Sequence, residues 1–239
     1  MGFFRDLLPA FKKHKIVLVE KRQEIGNIIT FVFKSEEKIH WKAGQHGILT
    51  FGRPKLEGGS WRGFSIASHP DDGIILISTR VPDKPSAFKS ALAGLKPGDA
   101  ITMRGPFGPF YIEASPKSVV FIAGGIGITP YRSLVLDFIK NRDGAPENVN
   151  LLYIDDKGEY AYKDEFDKIS SENGFLKVNY IVKREELTER IKEFSGKYRN
   201  EALYFISGSQ GMVKAVKNLL KEQGIGAKNI KNEIFIGYK

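Results

Sequence analysis

The segment Val119-Val120-Phe121-Ile122-Ala123-Gly124-Gly125-Ile126-Gly127-Ile128-Thr129-Pro130 places an apolar run, a glycine cluster and a proline in immediate succession. The apolar run has the length and composition of a buried strand. Glycines let backbone N–H groups come close to a pyrophosphate, and a helix that starts directly afterwards adds a dipole favouring negative charge. Proline suits the first turn of such a helix. The dinucleotide fingerprint Gly-x-Gly-x-x-Gly is not met, because Pro130 stands where the third glycine would be. Taken alone, the segment also reads as a tight strand-to-helix corner, so its surroundings decide.

Downstream, apolar strands alternate with helical periods. Val119–Ala123 leads to a helix over Tyr131–Asn141, and Val149–Ile154 leads to Lys163–Glu172. Val178–Val182 leads to Glu185–Phe194, Ala202–Ile206 leads to Gly211–Gln223, and Ile230–Ile236 closes the chain. That alternation predicts a doubly wound, mostly parallel α/β sheet with helices on both faces. A second turn, Ser207-Gly208-Ser209-Gln210-Gly211-Met212, follows the fourth strand. Ligands of open parallel sheets bind beyond the carboxyl ends of the strands, so both turns point to one crevice.

Upstream the signals change to short β-branched and aromatic runs: Ile16–Val19, Ile28–Phe33, Gly47–Phe51, Ile74–Ser78 and Ala100–Met103, separated by Gly, Asn, Asp and Pro. They predict an antiparallel barrel or sandwich, interrupted by one helix over Ser86–Leu95 with Ser86 as its cap. The domains are expected at 14–114 and 115–239, with the change of character between Glu113 and Lys117. Within the first, Trp61-Arg62-Gly63-Phe64-Ser65-Ile66-Ala67-Ser68-His69-Pro70 stands out. Strand alternation puts Arg62 and Phe64 on one side and Gly63 and Ser65 on the other. Arg62 can grip a phosphate, Phe64 can stack on a planar ring and Ser65 can hydrogen-bond a ring nitrogen. The same residues also suit an ordinary edge strand with an exposed Arg and a core Phe.

The segment 1–13 carries Phe3, Phe4, Leu7, Leu8 and Phe11 at helical spacing, with Lys12 and Lys13 behind them and Pro9 interrupting. It reads as a short amphipathic helix packed on its own domain, or as a peripheral contact with a membrane or partner. No apolar run is long enough to span a bilayer, and Met1–Asp6 lacks a signal-peptide layout, so a cytoplasmic protein is expected.

The chain has 239 residues, 37 Lys plus Arg against 28 Asp plus Glu, and no cysteine. Absence of cysteine removes disulfides, thiolate metal sites, cysteine nucleophiles and cysteine-ligated iron–sulfur clusters. His14, His40, His46 and His69 are too scattered for a metal-ligand pattern, so no metal is expected. Before residue 116 there are 17 basic and 11 acidic residues. No basic run interleaved with aromatics suggests nucleic acid, whereas an acidic partner, an anionic cofactor or simple solubility each accounts for the balance.

With both halves in view, the chain resembles the ferredoxin–NADP reductase superfamily from about His14 to its end. Arg62-Gly63-Phe64-Ser65 is similar to that family's Arg-x-Tyr-Ser flavin motif, and Ser86-Ala87-Phe88 with Leu92 to its flavin-phosphate turn. Leu95-Lys96-Pro97-Gly98-Asp99 and Gly105-Pro106-Phe107-Gly108 follow in order, and Gly124–Pro130 matches Gly-Gly-x-Gly-x-x-Pro. Ser207-Gly208-Ser209 with Met212 stands where the family often has Cys-Gly-Pro and Met, and Glu233–Tyr238 resembles its closing segment.

The resemblance implies a flavin-binding antiparallel β-barrel followed by an α/β domain for NADH or NADPH. It implies that Arg62 binds the flavin phosphates, Phe64 stacks on the ring system and Ser65 meets flavin N5. Thr79 and Arg80 lie along the ribityl and phosphate chain, and Ser86, Ala87 and Phe88 cradle phosphate, which favours FAD over FMN. Gly125, Gly127 and Thr129 hold the nicotinamide nucleotide with Gly208 and Met212, Ser207 lies beside the nicotinamide, and Phe235 covers the other flavin face. The implied chemistry is hydride transfer from nicotinamide C4 to flavin N5, then release of electrons to a separate acceptor such as a ferredoxin, a cytochrome or an oxygenase component. Phe64 for Tyr and Ser207 for Cys depart from the pattern, as does 183–197. Where NADPH binders are expected to carry Ser or Arg, Tyr153-Ile154 is followed by Asp155-Asp156. Carboxylates repel a 2′-phosphate and accept from ribose hydroxyls, so NADH is expected over NADPH. A turn neutralised by Lys157 and Lys163 is the other reading of those aspartates. Two further functional readings stay open: a ferric-chelate or free-flavin reductase, and a non-catalytic flavin- or nucleotide-binding subunit.

Overall fold

A computed structural model of the protein describes residues 11–52, 55–113 and 116–235. The expected N-terminal helix lies outside the described residues except at its end, where Phe11 is 79% exposed and Lys13 already begins the first strand. Contacts divide the chain into two units: Met1–Tyr111 with Thr129–Asp137, and Ile112–Ile128 with Phe138–Lys239.

The first unit is a six-stranded antiparallel sheet in the order β4-β3-β6-β1-β2-β5. Its strands are β1 (Lys13–Ile25), β2 (Ile28–Lys34), β3 (His46–Thr50), β4 (Trp61–Ser65), β5 (Ile75–Arg80) and β6 (Ala100–Phe107). Alternation sets the core: His14, Ile16 and Leu18 are buried on β1, whereas Lys13 and Lys15, on either side of His14, are exposed. Phe31, Phe33, Leu49, Ile77 and Met103 complete one apolar cluster with Phe88 and Leu92 of α1 (Ala87–Gly94). Ser86 caps that helix, its Oγ accepting from the Lys89 backbone N–H.

The second unit is a five-stranded parallel sheet in the order β11-β10-β7-β8-β9. It contains β7 (Ser118–Gly124), β8 (Asn148–Ile154), β9 (Leu176–Ile181), β10 (Ala202–Ser209) and β11 (Ile230–Phe235). The helices between them are α2 (Thr129–Lys140), α3 (Lys163–Glu172), α4 (Arg184–Tyr198) and α5 (Gln210–Glu222). Near-continuous burial along β7 and β10 is what strands covered on both faces require. Val120, Ile122, Tyr204 and Ile206 pack with Leu187 and Ile191 of α4 and with Val213, Val216 and Leu220 of α5. Strand order reverses between β7 and β10, and that is where such sheets take ligands. Among the described residues no helix is long and apolar enough to cross a membrane.

Candidate functional site

On β4 the register settles which side chains share a face. Arg62 lies opposite Leu49 and Phe64 opposite Gly47, on the side of the apolar core; Ser65 lies opposite His46 on the other side, beside exposed Gly63. The Phe64 ring stacks at 6.0 Å on Phe88, and the Arg62 guanidinium stands 5.5 Å over the same Phe88 ring. Arg62 is held by carbonyls, Nη2 donating to Gly58 O at 3.1 Å and Nη1 to Trp61 O at 2.7 Å, and it has no carboxylate partner among the described residues. Backbone carbonyls orient a guanidinium without neutralising it.

Two more cations converge there. Lys89, three residues after the Ser86 cap, donates Nζ to the Arg80 carbonyl at 2.7 Å, and Arg80 donates to Asn27 Oδ1 at 3.1 Å. Burial first, then the positive charges of Arg62 and Arg80, push the Lys89 ammonium down to about 8. Sequence alone does not single out Lys89; its only signal is a lysine in the first turn of a capped helix, where a cation works against the helix dipole. Like charges gathered against a helix N-terminus suit a bound polyanion, so these residues fit the phosphate end of a flavin nucleotide. Ala87 opens the helix, and Thr79 is buried in β5 beside Arg80.

The segment after β4 is pinned to α2. Arg132 Nη1 donates to Ala67 O and Ser133 Oγ to Ser68 O, both at 2.7 Å. His69 Nδ1 accepts from the Asp71 backbone N–H at 3.1 Å, so its proton sits on Nε2 and is donated to Asp137 Oδ1 at 3.1 Å.

In the second unit the two turns touch. Ser207, fully buried, donates its hydroxyl to Gly127 O at 2.6 Å. A Cβ at Gly127 would come within 2.4 Å of Ser207 O, so only glycine permits this approach. Gly125 has φ of +53°. Gly124 and Gly208 face the Met212 thioether, and Ser209 caps α5 by accepting from the Met212 N–H. Thr129 is buried at the start of α2, and Phe235 pairs with Ser209 at the end of β11. The Ser207 hydroxyl thus serves the turn-to-turn contact, a use the sequence does not disclose.

Asp155 follows β8 and is buried. Its Oδ1 accepts from the Lys157 N–H at 3.0 Å and the Glu159 N–H at 3.1 Å, while Oδ2 stands 3.7 Å from the space a Cβ on Gly125 would fill. One carboxylate oxygen therefore shapes its own loop and the other faces the glycine turn. Tyr160, packed between Tyr153 and Tyr180, has its phenol pushed up by burial and then by the Asp155 charge. Glycine turns flanking a strand-order switch, a carboxylate facing one of them and a separate cationic cradle are features suited to binding nucleotides.

The comparisons with known proteins agree. Residues 121–218 match the family described as oxidoreductase NAD-binding domain. The chain is 28% identical over 200 residues to one subunit of the Na(+)-translocating NADH-quinone reductase of Yersinia pestis (strain Pestoides F), aligning 74% of this chain with 49% of that one. It spans about half the length of the curated relatives it matches. Among solved structures, the ferredoxin-NADP+ reductase of Plasmodium falciparum with 2'P-AMP superposes with a TM-score of 0.80 at 18% identity, covering 95% of this chain and 97% of that one. The flavohem-like FAD/NAD binding domain of nitric oxide dioxygenase from Vibrio cholerae O1 biovar El Tor superposes with a TM-score of 0.74 at 21% identity, covering 93% and 98%. The fold is that of these reductases. Within that fold, residues 121–218 carry the match to the oxidoreductase NAD-binding domain.

Proposed function

We propose that the protein is an NADH-dependent flavoprotein reductase that holds FAD in its barrel unit and delivers electrons to a separate redox partner. The observation carrying this reading is the convergence of Arg62, Arg80 and Lys89 at the start of α1, where burial and their mutual repulsion lower the Lys89 ammonium to about 8. A pyrophosphate relieves that repulsion through charge-assisted hydrogen bonds. In this reading Ser86 and the first N–H groups of α1 receive phosphate, Phe64 offers a ring face, and Ser65 meets the polar edge of the flavin. Gly125, Gly127, Thr129, Gly208 and Met212 form the seat of the nicotinamide nucleotide, and Ser207 lies beside its ring. When bound, the two nucleotides supply the two-electron chemistry; the chain binds and orients them and keeps water out.

NADH is favoured because Asp155 presents a carboxylate to the glycine turn, where a 2′-phosphate would be repelled. The similarity to a subunit of an NADH-quinone reductase supports the same choice and a role beside other redox components. The likeness to the FAD/NAD binding domain from Vibrio cholerae supports FAD. A ferredoxin, a cytochrome or an oxygenase component fits the acceptor role, and a cytoplasmic location belongs to the same reading.

The test is an anaerobic visible spectrum of the purified protein, before and after NADH and, separately, NADPH. Flavin bands that bleach faster with NADH are expected. Bleaching by NADPH alone removes the coenzyme assignment but keeps the enzyme. Bound flavin that neither nucleotide bleaches leaves a non-catalytic subunit, and absence of bound flavin after reconstitution overturns the reading at its base.

A further inference from the structure

The outward face of the antiparallel sheet carries a row of cations that the fold itself does not need. Strand register places Lys13 of β1 directly opposite Arg104 of β6, and Arg104 opposite Ile48 of β3, itself opposite Gly63 of β4. The next row on the same face is Lys15, Thr102, Thr50 and Trp61. Lys13, Lys15 and Arg104 are exposed and have no ion-pair partner among the described residues, and no carboxylate occupies either row. Like charges directly opposite each other across a strand pair are destabilising. Trp61, in the second row, is 60% exposed, and Phe11, two residues before Lys13 in the chain, is 79% exposed.

We propose that this face, built from Phe11, Lys13, Lys15, Arg104 and Trp61, docks on an anionic lipid surface. Flat, cation-bearing surfaces edged by exposed aromatics match a membrane interface: the cations meet anionic headgroups, and the rings enter the boundary between headgroup and chain. An acidic protein is the other occupant that would satisfy the cations, and the vesicle experiment below separates the two. None of its cations belongs to the Arg62, Arg80 and Lys89 cradle, so vesicle binding can be tested apart from flavin binding.

The experiment is sedimentation of the full-length protein with phosphatidylcholine vesicles, with and without phosphatidylglycerol, while tryptophan emission is followed. The chain has two tryptophans, and Trp41 is packed against the barrel core, so a blue shift on binding reports Trp61. Binding to the anionic vesicles alone, weakened by salt, with a blue shift, is expected. Exchanging Lys13, Lys15 and Arg104 together for Gln should weaken it about a hundredfold, at roughly fivefold per cation. Trp61→Phe should abolish the shift and retain most of the binding. The proposal is overturned by no binding at low salt, by equal binding to both vesicles, or by binding without the shift. Capture of an acidic protein by this face in the absence of vesicle binding would also overturn it.

Discussion

Ser207 and Gly127, 80 positions apart in the chain, share a 2.6 Å hydrogen bond and a backbone approach so close that no side chain fits at Gly127. The two nucleotide-side turns are therefore one object. Gly127→Ala must push β10 away from the turn, at a cost of about 1–3 kcal/mol in stability, and should weaken NADH binding at least tenfold. Ser207→Ala leaves the Gly127 carbonyl without its buried donor, costing about 1–3 kcal/mol, while the turn keeps its shape. Thermal unfolding combined with NADH titration separates the two: both variants lose stability, and Gly127→Ala loses far more affinity.

Lys89 should oppose stability and assist binding. Its folded pKa, about 8, lies below the ordinary 10.5, so in the flavin-free protein the folded state sheds this proton first as pH rises. The contribution of this group to stability therefore increases from pH 8 to 10.5 and is unfavourable at lower pH. Lys89→Met should raise the melting temperature of the flavin-free protein at neutral pH yet weaken flavin binding about tenfold, the scale of one lost charge-assisted bond. In the parent protein flavin affinity should decline as pH rises past 8, and Lys89→Met should flatten that decline. Flavin fluorescence titrations across pH, with melting curves of the flavin-free protein, measure both. A variant that weakens binding without stabilising the flavin-free form would contradict the like-charge account.

Asp155 joins a charge to a loop geometry, and two substitutions separate them. Asp155→Asn keeps an oxygen to accept from the Lys157 and Glu159 N–H groups but removes the charge. It should leave the melting temperature nearly unchanged and narrow the preference for NADH over NADPH about tenfold. Asp155→Ala also releases the loop, at about 1–2 kcal/mol. Steady-state rates with both coenzymes, with thermal melts, would expose a failure of either half.

His69 ties the segment after β4 to α2 through Asp137. Replacing it by Phe keeps the volume and removes both the acceptor for the Asp71 N–H and the donor to Asp137. The expected loss is about 2–3 kcal/mol, measured by urea unfolding, with the flavin spectrum unchanged if the pin is purely structural.

The parallel unit was legible because periodicity and turn chemistry agree there: helix α3 runs over Lys163–Glu172, as its pattern indicates, and every expected strand of that sheet is present. In the barrel, β1 runs to Ile25 and β6 to Phe107, well past Val19 and Met103. Their distal halves are polar or broken by Gly and Pro, and pairing with neighbouring strands, not local pattern, keeps them extended. The cationic cradle was half legible. Arg62 and Ser86 sit in recognisable motifs, whereas Lys89 matters only because the fold brings Arg80 and Arg62 to it. The Ser207–Gly127 bond and the grouping of Thr129–Asp137 with the barrel strands arise from contacts between distant parts of the chain. A linear reading offers no signal for them.

The two oxygens of Asp155 carry a consequence for how this chain can diversify. Because Oδ1 is committed to the backbone of Lys157 and Glu159, the residue proposed to repel a 2′-phosphate also folds the loop that presents it. Exchanging Asp155 alone for a phosphate-binding residue sacrifices the loop together with the charge. On that proposal, a descendant adopting the phosphorylated coenzyme would have to replace 155–159 as a block, so the preference would be inherited as a module and drift less readily than a single surface charge.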